Sequence, residues 1–294
     1  MLKGEQSYKL LAINIDGTLL KSNGRLMRET NEMISYVLQK DVYVTLVTSR
    51  HFQSAKKVAK ALKIPNLLVT HGGAVVGKEL ESFFHFYPLT EEKTEQVVHY
   101  LEDFTCNVRL VHQHYSIGNR KGLDSNIVGK AVLTANDPLF YPVQFVDSLE
   151  ETVQLKPVSA TKIDAYFTDE LEKKEAIKML QNHCSEIEII ENGNNKIEVV
   201  AKGVSKLSSL KLMGQHLGVS LKDMVYIGDD ISDLSIIENV GLGIAMGNAP
   251  EEVKRTAKWV TRSNNDNGVG YAVKELFRKQ FALPFVSKHG KYKK

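Results

Sequence analysis

The sequence predicts an α/β protein, in which a doubly wound (Rossmann-like) parallel sheet is interrupted by an inserted α+β domain. Short apolar runs alternate with amphipathic segments near both ends of the chain, and the middle third breaks that alternation. Continuous apolar runs are typical of parallel strands, because helices cover both faces of such a sheet. The chain has 294 residues, enough for one large domain or two ordinary ones.

The first part of the chain follows a strand–helix–strand–helix–strand order. The apolar run at 10–15 ends abruptly in Asp16-Gly17-Thr18, which are turn residues. Apolar residues at helical spacing and β-branched runs predict the elements that follow. These are a helix over 30–39, a strand over 42–47, a helix over 53–62 and a strand over 67–69.

The order of elements changes near residue 74. A hairpin (74–76 and 82–86) leads into a helix over 91–103 that Thr90 caps. The remaining predictions in this region are strands at 107–112, 115–118 and 162–167, an irregular stretch at 136–138, a helix over 170–182 and a hairpin (188–190 and 196–200) around the turn 192–195. Because strands and helices do not alternate strictly here, we predict an inserted domain over 84–198. Residues 1–83 and 199–294 would then form the core domain.

The regular alternation resumes after Gly203. Ser205 is a suitable N-cap for a helix over 205–217. Strands are predicted at 224–227, 242–246 and 259–260, and helices at 234–240, 250–257 and 269–281.

Composition narrows the class of protein. The net charge is only +3, and much of it lies in the tail at 288–294, so no basic face for nucleic acid is expected. The two cysteines, Cys106 and Cys184, match no metal motif and indicate a reducing compartment. The N-terminus does not resemble a signal peptide, and no uncharged apolar run reaches the ~20 residues of a membrane span. We therefore expect a cytoplasmic protein that binds neither membranes nor nucleic acid. The oligomeric state is left open.

Polar residues follow four of the predicted core strands. In open α/β sheets, ligands bind beyond the carboxyl ends of the strands. Carboxylates that converge there suit a hard cation such as Mg²⁺, and a lysine and a hydroxyl beside them suit a phosphate. Together they indicate a phosphoryl-transfer site. The strand-end residues are Asn14, Asp16, Thr48, Arg50, Asp229, Asp230, Asp233 and Asn248, with Lys206 at the start of a helix.

Five segments in this order resemble the motifs of the haloacid dehalogenase-like (HAD) phosphatases, Cof-type branch, which carry a large α+β cap. Within that branch, the chain is similar to a subgroup of bacilli described as stress-response proteins. The segments are Asn14-Ile15-Asp16-Gly17-Thr18, Thr48 with Arg50, Lys202-Gly203-Val204-Ser205-Lys206, Gly228-Asp229-Asp230-Ile231-Ser232-Asp233 and Met246-Gly247-Asn248-Ala249.

The resemblance implies hydrolysis of phosphate monoesters of small metabolites with Mg²⁺ as cofactor. Position 14 would hold the nucleophile, and Asp16 would protonate the leaving alcohol and then activate water. The substrate phosphate would be bound by Thr48, Arg50, Lys206 and Asn248. The metal would be bound by residue 14, Asp16, Asp229 and Asp233, or Asp233 would instead orient Lys206.

The chain departs from the family at the nucleophile, where Asn14 replaces an aspartate. Covalent catalysis by this route needs a carboxylate, and an amide oxygen is also a weaker metal ligand. Two smaller departures are Ser232, in place of an asparagine, and Gly72, where the family has an asparagine before the cap.

Two functions of different class follow from these residues. The first is a slow Mg²⁺-dependent phosphatase that works by direct attack of water, or through molecules whose Asn14 has hydrolysed to aspartate. The second is a regulatory or stress-response protein that binds Mg²⁺ and a phosphorylated ligand without turnover. An Asp-to-Asn replacement introduced into an active phosphatase would leave the same sequence.

Overall fold

A computed structural model describes residues 7–65, 67–80, 82–121, 143–192 and 195–280. The irregular stretch predicted at 136–138, the centre of the turn predicted at 192–195 and the tail at 288–294 lie outside these ranges. Elements are numbered below over the described residues.

The central sheet has five parallel strands, and helices cover both of its faces. Leu11 and Ile13 pack with α1 (Arg28–Leu38) and α9 (Gly268–Gln280). Leu10 and Ala12 pack on the other face with α6 (Lys206–Leu217), α7 (Leu234–Asn239) and α8 (Glu251–Thr256). This alternation along one strand confirms the predicted doubly wound fold. The strands in spatial order are β14 (Trp259–Val260), β13 (Leu242–Ala245), β12 (Met224–Gly228), β1 (Leu10–Ile13) and β2 (Tyr43–Leu46).

The third strand differs from the prediction. After α2 (Phe52–Ala61), β3 (Leu68–Thr70) forms a separate antiparallel sheet with β4 (Val75–Glu79) and β5 (Ser82–Phe86). A single bridge, between Val47 and Val69, joins β3 to the end of β2. A tight turn over His71–Gly73, in which all three residues have positive φ, reverses the chain and supplies β3 with its antiparallel partner.

The described strands between Cys106 and Ala201 form a six-stranded sheet, and all of its strand pairs but one are antiparallel. Its apolar face packs on α3 (Glu91–Glu102), α4 (Leu149–Leu155) and α5 (Glu170–His183). The sequence did not predict α4 or the strand before it, although Ser148 and Glu151 have the spacing of a helix N-terminus and Ser148 does cap α4. The strand order is β10 (Ile187–Asn192), β11 (Lys196–Ala201), β9 (Lys162–Phe167), β6 (Cys106–Val111), β7 (Ser116–Asn119) and β8 (Val143–Val146).

The register of the central sheet brings four strand ends to one edge. Ile13 lies opposite both Leu46 and Ile227, and Gly228 lies opposite Ala245. Ser205 caps α6 beside this edge, as predicted, by accepting a hydrogen bond from the Ser208 N–H. In the described part of the chain, no helix is both long and apolar enough to cross a membrane.

Candidate active site

Asn14 begins the loop after β1 and is buried. Its Nδ2 donates to the carbonyl oxygen of Asp16 at 3.0 Å and to Oδ1 of Asp229 at 3.1 Å. A carbonyl and a carboxylate only accept, so these partners fix which way the amide faces. Thr18 donates to the same Asp229 oxygen at 2.6 Å. Gly17 has φ +68°, and a Cβ there would lie 1.9 Å from Asp229 Oδ2, so only glycine allows the carboxylate to pack against the loop.

Asp16 is held by Arg50, which follows the end of β2. The guanidinium Nε donates to Asp16 Oδ2 at 2.6 Å, and Nη2 donates to Oδ1 at 2.5 Å. Nη1 donates to Ser54 on α2 at 3.1 Å. The Thr48 hydroxyl accepts from the Arg50 backbone N–H at 3.1 Å. The charge of Asp16 is therefore matched by a two-pronged pair with a buried arginine.

Lys206, the first residue of α6, is buried at the same edge. Its Nζ donates to Asp233 Oδ1 at 2.7 Å and to the Ser232 hydroxyl at 2.9 Å. Tyr226 donates to the same Asp233 oxygen at 2.7 Å. Burial by itself lowers the pKa of Lys206, but the charge and hydrogen bond of Asp233 outweigh it and raise that pKa above its ordinary value. Lys206 is therefore a cation with a fixed position.

Asp233 also organises the loop after β12. Its Oδ2 accepts from the backbone N–H groups of Asp229 and Asp230, at 3.1 and 3.2 Å. The fully buried Asp233 carboxylate thus has four donors within the chain. Burial raises the pKa of Asp229 to about 7; the Asp233 carboxylate acts in the same direction, and hydrogen bonds from Thr18 and Asn14 oppose the rise.

The order and placement of these groups match a known family. Residues 11–273 fit the sequence pattern of the haloacid dehalogenase-like hydrolases. The chain belongs to this HAD family. Its relatives include the stress response protein YhaX of Bacillus subtilis, which is 45% identical over 282 residues, covering 96% of this chain and 98% of YhaX. The resemblance to a stress-response subgroup is confirmed by this similarity.

Two further HAD relatives bear on fold and chemistry. The 5-amino-6-(5-phospho-D-ribitylamino)uracil phosphatase YcsE of Bacillus subtilis is 26% identical, and the match covers 90% of this chain and 94% of YcsE. A solved structure of a haloacid dehalogenase-like hydrolase from Bacillus subtilis superposes with a TM-score of 0.80 at 21% identity, covering 91% of this chain and 99% of the other. The fold is therefore that of HAD hydrolases, and one relative acts on a small phosphorylated compound.

Seven of the eight residues predicted for the HAD site form one connected hydrogen-bonded network. They are Asn14, Asp16, Thr48, Arg50, Lys206, Asp229 and Asp233. The eighth residue, Asn248, lies outside this network. Its Nδ2 donates to the Gly17 carbonyl and its Oδ1 accepts from the Asn264 N–H, both at 2.9 Å, so it joins two loops of the core.

The predicted metal ligands can be tested for their fit to Mg²⁺, which HAD phosphotransferases generally use. Mg²⁺ needs oxygen ligands at about 2.0–2.1 Å. Asn14 instead points an N–H donor at the Asp16 carbonyl and at Asp229, and both oxygens of Asp233 have other partners. Within the described ranges, no group of three or more His, Cys, Asp or Glu side chains is arranged to hold a metal. As these side chains lie, they do not fit the ion.

The sequence reasoning missed a set of charges on the six-stranded sheet, which we call the charged face: the buried Lys162, Asp164 and Glu198 and the half-buried Lys196. Lys162 Nζ lies 3.0 Å from Asp164 and 3.3 Å from Glu198, and Lys196 Nζ lies 3.3 and 2.6 Å from the same carboxylates. Glu198 is close enough to Lys206 for their charges to interact. Charged residues at every second position of two strands were the signal that could have revealed this face.

Proposed function

We propose that this chain binds a small phosphorylated metabolite at the HAD site and hydrolyses its phosphate monoester only slowly. The observation that carries the proposal is the pairing of Lys206 with Asp233, preserved beside an amide at the nucleophile position. A buried ammonium held in place is a phosphate-binding group, whereas the amide of Asn14 cannot form the acyl phosphate of covalent catalysis.

The phosphate would be bound by Lys206 and Thr48. An ammonium has three N–H donors, and Lys206 uses two of them on Asp233 and Ser232. The Thr48 hydroxyl accepts one hydrogen bond and retains its own hydrogen for a ligand oxygen. Arg50 and Asn248 were predicted to bind phosphate as well. Their contacts favour other roles, the holding of Asp16 and of the first loop.

Turnover would proceed by direct attack of water on phosphorus. The water oxygen bonds to phosphorus as one of its protons passes to Asp16, the bond between phosphorus and the ester oxygen breaks, and the leaving oxygen takes a proton from solvent to become the alcohol. Arg50 donates one hydrogen bond to each oxygen of Asp16, and each oxygen keeps a second lone pair that can take the proton. The missing nucleophile keeps the proposed rate low. The sequence also predicts that this turnover depends on Mg²⁺, so phosphate release is compared in Mg²⁺ and in a chelator.

The inserted domain would select the metabolite. We propose a core of residues 1–83 and 199–294 and a cap of residues 84–198. The charged face supports a cap beside the core, because it lies close to Gly72 of the core. Glu198 Oε2 is 3.4 Å from the position that a Cβ on Gly72 would occupy. A cap that closes over the site would exclude water and add contacts to the ligand.

A second function is favoured by one specific contact. Arg50 neutralises the remaining catalytic carboxylate with two hydrogen bonds, as expected of a site that binds a phosphorylated ligand and does not turn it over. The similarity to the stress response protein YhaX would then point to a regulatory role.

An assay of phosphate release separates these functions. The unaltered chain, Asn14→Asp and the double variant Asn14→Asp/Asp16→Asn are each given a generic phosphate ester and a panel of sugar phosphates, in Mg²⁺ and in a chelator. Intact-protein mass spectrometry of each preparation measures any fraction in which Asn14 has hydrolysed to aspartate. We expect slow release by the unaltered chain, a gain of at least about 100-fold for Asn14→Asp, and loss of that gain when Asp16→Asn is added.

A family-like rate in the unaltered chain, with no gain in Asn14→Asp, would contradict the proposed impairment. If Asn14→Asp stays inert while the esters still bind, the regulatory function is supported instead.

A further inference from the structure

Both ion pairs of the site are formed between side chains of the protein itself. Asp16 pairs with Arg50, and Asp233 pairs with Lys206 and also accepts from Tyr226. The remaining carboxylate, the half-buried Asp229, accepts from the Asn14 amide and the Thr18 hydroxyl on one oxygen. Carboxylates this close together need donors or a cation between them, and here side chains of the protein supply the donors.

The Asn14 nitrogen lies between two oxygens of different loops. It is 3.0 Å from the Asp16 carbonyl and 3.1 Å from Asp229 Oδ1. It therefore joins the loop after β1 to the loop after β12 by hydrogen bonds. Asp229 also packs directly against Gly17, so its carboxylate contacts the first loop both at Gly17 and at the Asn14 amide.

An aspartate at position 14 would reverse this arrangement. Its oxygen would face the Asp16 carbonyl and the Asp229 carboxylate with no hydrogen between them. A buried carboxylate at position 14 and the half-buried carboxylate of Asp229 would repel each other at such a distance, so the variant needs a cation or a proton to hold the loops together.

We propose that the Asn14 amide takes the place of a divalent cation in this chain, so that the two loops are assembled by hydrogen bonds and Mg²⁺ is not required to organise the site. For a divalent ion to bind there, the amide would first have to give up both of its hydrogen bonds and turn its oxygen inward. Affinity for Mg²⁺ is therefore lower in this chain than in its Asn14→Asp variant. The proposal concerns assembly of the proposed site and does not depend on whether the site turns over.

Thermal unfolding and Mg²⁺ titration test this directly. The unaltered chain, Asn14→Asp and Asn265→Asp are unfolded in chelator and in millimolar Mg²⁺, and Mg²⁺ binding is measured by isothermal titration calorimetry. Asn265→Asp is the matched control, because it makes the same chemical change at an exposed residue that contacts Ser22. Inorganic phosphate is titrated separately into the unaltered chain, so that a failure of phosphate binding counts against the proposed function alone.

We expect the Tm of the unaltered chain and of Asn265→Asp to differ by less than about 1 °C between chelator and Mg²⁺. In chelator, Asn14→Asp should melt roughly 5 °C below the unaltered chain, and Mg²⁺ should restore most of that loss. Its Mg²⁺ affinity should exceed that of the unaltered chain at least tenfold. Equal Mg²⁺ affinities, or a fall in the Tm of the unaltered chain when chelator is added, would overturn the proposal. Since the calorimetry of the unaltered chain needs no variant, tight Mg²⁺ binding there overturns it even if Asn14→Asp does not fold.

Discussion

At position 14, an amide nitrogen stands where an aspartate would carry an oxygen, and this one atom changes both chemistry and assembly. In the proposed function the amide removes the nucleophile, and in the structure it contributes two hydrogen bonds that an aspartate could not donate. The identity of residue 14 is visible in the sequence. The direction of its hydrogen bonds is not, because it depends on Asp229, which is 215 residues away along the chain.

The proposed phosphate site makes a prediction for Lys206. Lys206→Gln should weaken binding of inorganic phosphate at least tenfold, because a charged hydrogen bond is lost. Isothermal titration calorimetry measures the affinity. Lys211→Gln, an exposed position on the same helix, is the control and should bind as the unaltered chain does. Equal affinities for all three proteins would place the phosphate elsewhere.

Two glycines with similar backbone angles provide a matched pair. Gly17 and Gly24 have φ of +68° and +76°, but a Cβ at Gly17 would meet Asp229, whereas one at Gly24 meets nothing within 4 Å. Gly24→Ala should therefore cost only backbone strain, about 1 kcal/mol. Gly17→Ala should cost at least about 2 kcal/mol more, since Asp229 must move. Urea unfolding gives both values, and similar losses would show that the contact with Asp229 is unimportant.

At the scale of elements, the β3–β4 turn connects the core to the six-stranded sheet. The Phe52 backbone N–H donates to His71 Nε2 at 2.9 Å, so the ring carries its hydrogen on Nδ1 and donates it to Thr161 at 2.7 Å. Thr161 in turn donates to the Val111 carbonyl at 2.7 Å. This chain of hydrogen bonds joins the Arg50 loop to strands β6 and β9. It requires a neutral His71, because protonated Nε2 could not accept from Phe52.

The buried histidines predict how stability depends on pH. Burial is the main cause that lowers the pKa of both histidines, and nearby positive charges add to it: Lys162 for His71, and Arg109 and Lys162 for His51. The pKa of His71 lies well below its usual value, and that of His51 falls to about 3. The unfolded chain takes up these protons below about pH 6.5 and the folded chain does not. The free energy of unfolding should therefore fall as pH drops from about 6.5, by at most about 1.4 kcal/mol per pH unit for each histidine.

The variant His71→Gln checks the contribution of one of these groups. Glutamine retains a donor and an acceptor but does not titrate, so the slope between pH 6.5 and 5.5 should decrease by up to about 1.4 kcal/mol per unit. Urea unfolding above pH 7 serves as the internal control, where the slopes of the two proteins should agree. An unchanged slope at low pH would show that His71 is not held neutral.

At the scale of the whole molecule, the charged face holds buried ion pairs on the six-stranded sheet, close to Gly72 and Lys206. Lys162→Met should lower the free energy of unfolding by about 2–4 kcal/mol, because two buried carboxylates lose a partner. Lys202→Met breaks an exposed pair with Glu186 and should cost less than about 0.5 kcal/mol. Denaturant unfolding measures both. A cost below 1 kcal/mol for Lys162→Met would mean that Lys196 alone compensates Asp164 and Glu198.

Most of the core and the location of the site could be predicted from the sequence, since apolar periodicity and polar strand ends are local signals. The pairing of β3 with β4 could not, because it depends on the positive φ of His71–Gly73, which composition does not reveal. The bonds of Arg50 to Asp16 and of Asn248 to Gly17 also escaped prediction. Each joins residues from separate loops, so the choice between ligand and protein partner is made only in three dimensions.

The measurement that most directly tests whether Asn14 prevents covalent turnover is detection of a phosphoenzyme. The unaltered chain and Asn14→Asp are mixed with a phosphate ester and Mg²⁺, quenched in acid within one turnover and digested for mass spectrometry. We expect a phosphoryl group on residue 14 in Asn14→Asp and none on any residue of the unaltered chain. A phosphoryl group on the unaltered chain, or one carried by Asn14→Asp at a residue other than 14, would contradict the proposed site.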